Sequence, residues 1–185
     1  MVVKTVGEGL EQVLDKALTR KAPQSIGAQA RFLVKKTGST KAAAELLGVS
    51  PRTVQRYMKG EIKNPHPRVA GRLGQEVRKR WQPKVKEKAR QAAASSNGLM
   101  INVRASLGYE GPAGTTDQAR ERDLTVALSP RHAEKIFAAQ ELGEQRMREE
   151  VADALREVYF QQRGTRAASL EKVHMLNVAH IEFDL

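Results

Sequence analysis

The chain has 185 residues, 32 Lys/Arg against 21 Asp/Glu, a formal net charge of +11 and no cysteine. That length fits one domain or two small ones, the missing thiols exclude disulfides and thiolate metal sites, and the charge points to a polyanionic partner. No apolar run reaches the roughly 20 residues of a membrane helix and the N-terminus lacks the apolar core of a signal peptide, so a soluble, cytoplasmic protein without a membrane partner is expected.

The charge is unevenly divided. Residues 1–98 hold 21 Lys/Arg and 7 Asp/Glu, a net of +14, while residues 99–185 hold 11 and 14, a net of −3. One part is built to hold a polyanion and the other to do something else.

In chain order, Val6, Leu10, Val13, Leu14 and Leu18 predict an amphipathic helix over about residues 5–20. A second helix follows from Pro23, burying Ile26, Ala30, Leu33 and Val34 and ending at Gly38. Residues 39–60, STKAAAELLGVSPRTVQRYMKG, then read as two short helices joined by a tight turn. Ser39 or Thr40 caps the first, and the small Ala42, Ala43 and Ala44 allow close helix approach. Gly48 closes that helix at the cost-free positive φ, and Ser50 caps the next with Pro51 at its first position.

In the second short helix Val54 and Met58 share a face, leaving Arg52, Thr53, Gln55, Arg56 and Lys59 turned mostly outward. A helix-turn-helix needs this arrangement: a thin helix bearing long hydrogen-bonding side chains, held from behind by its neighbour. Arg52, Gln55 and Arg56 are candidates for base edges and Lys59 for phosphate. The bland alternative is a helical hairpin with a solvated basic face.

Asn64-Pro65-His66-Pro67 breaks the helical pattern. Beyond it Val69, Leu73, Val77 and Trp81 recur every fourth residue, with Arg68, Arg72, Arg78, Lys79 and Arg80 spread over the remaining surface. Pro83 restarts a helix carrying Lys84, Lys86, Lys88 and Arg90. With so few acids among these bases, the segment is expected to extend the DNA-binding unit along phosphates. Trp81 could stack on an unpaired base, but a lone Trp at core spacing is more often packed, and that is the expectation.

AAASSNG, residues 92–98, reads as a linker, after which the period changes to two. Ile101, Val103, Ala105 and Leu107 alternate with polar residues as in a half-buried strand, and Leu124, Val126 and Leu128 repeat the pattern. Between them lies a long glycine-rich connection, residues 108–121, of a length that is uncommon in compact domains unless functional. Ser129-Pro130 starts a helix expected to run to about Gln162, burying Ile136, Phe137, Leu142, Met147, Val151, Leu155 and Val158. Val178, Ile181 and Phe183 mark a third strand. The expected fold class is α+β: an N-terminal all-α helix-turn-helix domain over 1–62, a basic helical extension and linker over 63–98, and a small β-β-α-β domain over 99–185.

The chain contains no Walker loop, GxGxxG or nucleophile elbow. His66, His132, His174 and His180 lack metal-ligand spacing. Glu182 and Asp184 share a strand face and could hold magnesium, though a solvated terminal pair is the plainer reading, and Glu149, Glu150 and Asp153 read as an exposed helix face. Thr115 and Thr116 follow the GPAG turn, where their hydroxyls are presented with no internal base, so any reaction there needs an external active site.

The AAAELLGVSPRTVQRYMKGEIKNP helix-turn-helix, the RKRWQPKVKEKAR stretch and GYEGPAGTTDQARERDLTVALSP together resemble the terminal proteins of linear Streptomyces chromosomes and plasmids, over nearly the whole chain. The resemblance implies a protein linked covalently to the 5′ ends of linear DNA, which caps the telomere and primes end-patching synthesis. It implies a threonine acceptor in mid-chain. Thr115 or Thr116 matches, and Thr115, directly after GPAG, is the expected one. It also implies a telomere-associated recruiting protein at the 3′ overhang, a location at the ends of linear DNA in the nucleoid, and a separate DNA polymerase. That polymerase would bring Mg2+ and the deoxynucleotide; the protein itself would be a primer with no cofactor and no catalysis. The rivals are a helix-turn-helix regulator or replication-initiation adaptor whose second domain forms a homo-oligomer, and a nucleotidyltransferase using Glu182 and Asp184 for metal.

Overall fold

Four helices of the first sixty residues open on a hydroxyl that closes their first turn. Thr5, Ser25, Ser39 and Ser50 accept from the amides of Glu8, Ala28, Ala42 and Thr53, respectively. A computed structural model describes residues 3–110, 116–162 and 170–185, and those caps begin α1 (Val6–Lys16), α2 (Ile26–Thr37), α3 (Thr40–Leu47) and α4 (Pro51–Lys59). Then follow α5 (Pro67–Arg80), α6 (Pro83–Ala92), the strands β1 (Leu99–Glu110) and β2 (Thr116–Leu128), α7 (Pro130–Ala138), α8 (Glu144–Leu155) and β3 (Lys172–Asp184). The layout is α+β, with a helical N-terminal part and a C-terminal three-stranded antiparallel sheet ordered β2-β1-β3.

The chain divides into two compact units, Thr19–Lys84 and a second made of Met1–Leu18 with Val85–Leu185. The first helix therefore does not belong with the helix-turn-helix, as a boundary at 62 requires. Its apolar stripe, Val6, Leu10, Val13 and Leu14, is part of the sheet's core with Ile101, Val103, Ile181 and Phe183. Close approach is what permits this: a Cβ on Gly9 would stand 3.0 Å from the Phe183 ring. Glu144 adds a cap from outside the helix, its carboxylate accepting from the amides of Val6 at 2.8 Å and Gly7 at 3.0 Å. In sequence terms the helical unit is an insertion between α1 and the rest of that fold.

The stretch 92–98 is not a linker either. Ala93–Asn97 forms a π turn with Ala93 fully buried, leading directly into β1. The long helix expected after Ser129 is interrupted: α7 ends in a 3-10 turn (Ala139–Leu142), Gly143 at φ 98° breaks the axis, and a π turn (Arg156–Phe160) follows α8. Leu142, expected in the core, sits at that break and is 72% exposed. The glycine-rich connection is also shorter than 108–121, because β1 and β2 remain paired as far as Glu110 and Thr116, across a shift between Leu107 and Tyr109. Thr115 lies outside the described residues.

In the inserted unit Leu33, Ala43, Ala44, Leu47, Val54, Leu73 and Val77 form a core of their own, drawn from α2, α3, α4 and α5. Its two chain ends are tied together. Gln82 Oε1 accepts from the amide and hydroxyl of Thr19, and the Trp81 indole donates to the Arg20 carbonyl at 3.0 Å. Trp81 also meets Phe32 edge-on, with ring centroids 5.1 Å apart, so it is packed as expected.

Candidate nucleic-acid interface

Thr19–Lys84 contains 16 Lys/Arg and 3 Asp/Glu, a net of +13, while the rest of the chain holds 16 and 18, a net of −2. The basic side chains are shared equally, but the net positive charge belongs wholly to the helical insertion, which has few acids. Within it, α3 ends on Gly48 at φ 67° and α4 begins at Ser50, which makes the helix-turn-helix joint as short as the spacing predicts.

Along α4, Arg52, Gln55, Arg56 and Lys59 stand at i, i+3, i+4 and i+7, hence on one face, and all four are exposed. The opposite face carries Val54 and Tyr57, both buried, with Met58 half-buried. Tyr57 is the residue the apolar pattern missed, because a tyrosine is ambiguous until its neighbours are known. Among the described residues, the side chains of Arg52, Gln55 and Lys59 form no hydrogen bond or ion pair and are available to a ligand. Arg56 is held by Glu61 at 3.2 Å and must exchange that exposed pair for a new partner, at a cost of at most about 1 kcal/mol. Thr53 is committed elsewhere: its hydroxyl lies 2.9 Å from Ser50 Oγ as part of the helix start.

Two residues aim this helix. Arg31 on α2 donates to the Met58 carbonyl, placing a cation on the negative end of α4. A Cβ on Gly27 would stand 3.0 Å from the Tyr57 carbonyl oxygen, so glycine sets how closely α2 and α4 can approach. The signal for both in the sequence is slight, since Gly27 near the start of a helix reads as a poor helix former and no more.

The basic extension splits by what its charges touch. Arg68, Arg78 and Lys84 are exposed and, among the described residues, their side chains have no partner. Arg72 reaches back to the joint, its Nη1 2.8 Å from where a Cβ on Gly48 would stand. Lys79 and Arg80 share Glu76, a helix-internal acid that draws them down along α5. Lys86 does not face solvent. Its side chain is 8% exposed and its ammonium lies 2.7 Å from Asp15 and 3.1 Å from Glu11 of α1, so burial and two carboxylates take it out of the candidate interface.

Elsewhere, Glu182 and Asp184 are bridged by Lys16 at 2.8 and 2.6 Å. Hydrogen bonds to Asp184 and then Glu182 raise the Lys16 pKa above its ordinary value. Among the described residues no group of three or more His, Asp or Glu side chains is gathered to hold a metal ion, and no helix is long and apolar enough to cross a membrane. No protein-family model, curated protein sequence or solved structure matches the chain.

Proposed function

We propose that the helical insertion binds DNA through α4 and that the protein serves as a telomere terminal protein, the acceptor and primer for a separate polymerase. The observation that carries the DNA-binding part is the stripe of Arg52, Gln55, Arg56 and Lys59 on a helix whose other face is clamped by α2 and α3. Long donors on a thin, fixed helix suit major-groove base edges, and Arg68, Arg72, Arg78 and Lys84 suit flanking phosphates. Arg52→Ala combined with Gln55→Ala should lower duplex or overhang affinity by tenfold or more at fixed salt, since each base contact is worth roughly 1–3 kcal/mol. Lys84→Ala should instead weaken binding uniformly across sequences and reduce the salt slope by about one. Unchanged affinity of the double variant, measured by fluorescence anisotropy, contradicts the groove-reading role.

The terminal-protein part rests on the sequence resemblance. The hairpin β1–β2 supports it, because the GPAG-Thr115 segment joins two strand ends that pair at Glu110 and Thr116. In this reading Thr115 donates its oxygen to the α-phosphorus of a deoxynucleotide held with Mg2+ by the polymerase, and pyrophosphate leaves. Thr115→Ala should abolish nucleotide attachment in a reconstituted priming mixture and leave DNA binding intact. Full labelling of that variant moves the acceptor to Thr116 or another residue, and absence of labelling in the parent protein favours a helix-turn-helix regulator.

A further inference from the structure

Ser129 and His132 stand one turn apart at the start of α7, and Glu157 comes from the π turn after α8. Ser129 Oγ lies 3.1 Å from Nδ1 of His132, and Nε2 of the same ring lies 3.0 Å from Oε2 of Glu157. The His132 side chain is 8% exposed and that of Glu157 46%. An ionised carboxylate only accepts, so in the neutral imidazole the ring nitrogen facing it carries the proton and the other presents its lone pair to the serine hydroxyl. That hydroxyl is not spent on capping: it makes no bond to the amides of α7, unlike the hydroxyls that begin α1 to α4.

These three residues, with Arg156, Val158 and Gln161, line a cleft of about 640 Å3. Arg156, on the lining of the same cleft, is anchored by Asp153 at 3.5 Å and the Leu170 carbonyl at 3.4 Å, so the cleft holds a fixed cation as well as the serine. We propose that Ser129, His132 and Glu157 form a nucleophilic relay, in which Ser129 takes a phosphoryl group from a phosphoanhydride or similarly activated phosphoryl donor. Recognition of such a relay rests on geometry and roles and not on sequence order. The Oγ–P bond forms as the bond from phosphorus to the leaving group breaks, and the leaving group departs with that electron pair. The serine proton passes to Nδ1, the resulting imidazolium faces the Glu157 carboxylate, and the Arg156 guanidinium neutralises the phosphoryl oxygens. The hydrogen bond from His132 holds the Glu157 carboxyl below its ordinary range, reinforced by the charges of Arg131 and Lys135. None of the residues assigned to DNA binding or to nucleotide acceptance takes part.

The test treats the full chain with an alkyl fluorophosphonate, for which fluoride is the leaving group, and follows intact mass and peptide maps. One adduct is expected, on Ser129. The rate should fall tenfold or more in Glu157→Gln, a half-exposed change that leaves the core intact, and vanish in Ser129→Ala and in His132→Gln whose circular dichroism matches the parent. No adduct, an adduct spread over other residues, or an equal rate in Glu157→Gln and in urea-unfolded protein overturns the proposal and leaves only a helix start fastened to the π turn.

Discussion

With its ammonium 2.7 Å from Asp15 and 3.1 Å from Glu11, Lys86 spends its charge inside the protein. Composition alone groups it with Lys84 and Lys88, because a basic run carries no mark of which member turns inward. The trace in the sequence is on the other side of the contact, where Glu11 and Asp15 sit one turn apart on α1. Lys86→Ala should destabilise the fold by about 3 kcal/mol in denaturant melts, the low end for breaking a buried pair because Glu11 keeps water. DNA affinity of the folded variant should stay within about twofold of the parent, since a charge paired with two carboxylates offers little to phosphate. A tenfold loss would return Lys86 to the interface. The outward residues of α4 were legible for the opposite reason: with Val54 fixed inward, the helical period dictates where Arg52, Gln55 and Lys59 must point.

At the scale of elements, α2, α3, α4 and α5 follow from caps, periods and prolines, signals that act within a few residues. Gly27 shows where such signals stop, because what it does is set the distance between α2 and α4. Gly27→Ala gains helix propensity but drives a methyl to 3.0 Å from the Tyr57 carbonyl, so α4 must shift. DNA affinity is expected to fall several-fold although the residue touches no ligand, while the melting temperature changes by only a few degrees. Unchanged affinity would mean that the seating of α4 on α2 is not what aims it. The first half of β2, TDQARERD, has no apolar alternation and escaped the period because edge strands are held by ladder bonds to a neighbour, here β1, and take polar residues freely. The interruption at Gly143 escaped because the apolar stripe continues on both sides of it, through Ile136 and Met147.

At the scale of the molecule, a helical insertion of net +13 divides a sheet-based fold of net −2. Sequence reading reached the division of charge and the α+β class, but not the insertion, because α1 and the sheet are far apart in the chain and no local pattern links them. Since the insertion has its own core and its ends are joined through Thr19–Gln82 and Arg20–Trp81, residues 19–84 expressed alone should fold and bind DNA within about tenfold of the full chain. An unfolded fragment by circular dichroism would show that the core of seven buried side chains needs the rest of the protein. The most direct test of the proposed role is mass spectrometry of native protein isolated from its source cells under denaturing conditions and digested with nuclease. The account predicts that the tryptic peptide Ala105–Arg120 carries the added mass of a deoxynucleotide on Thr115. An unmodified peptide throughout, from protein recovered with its DNA, would contradict it.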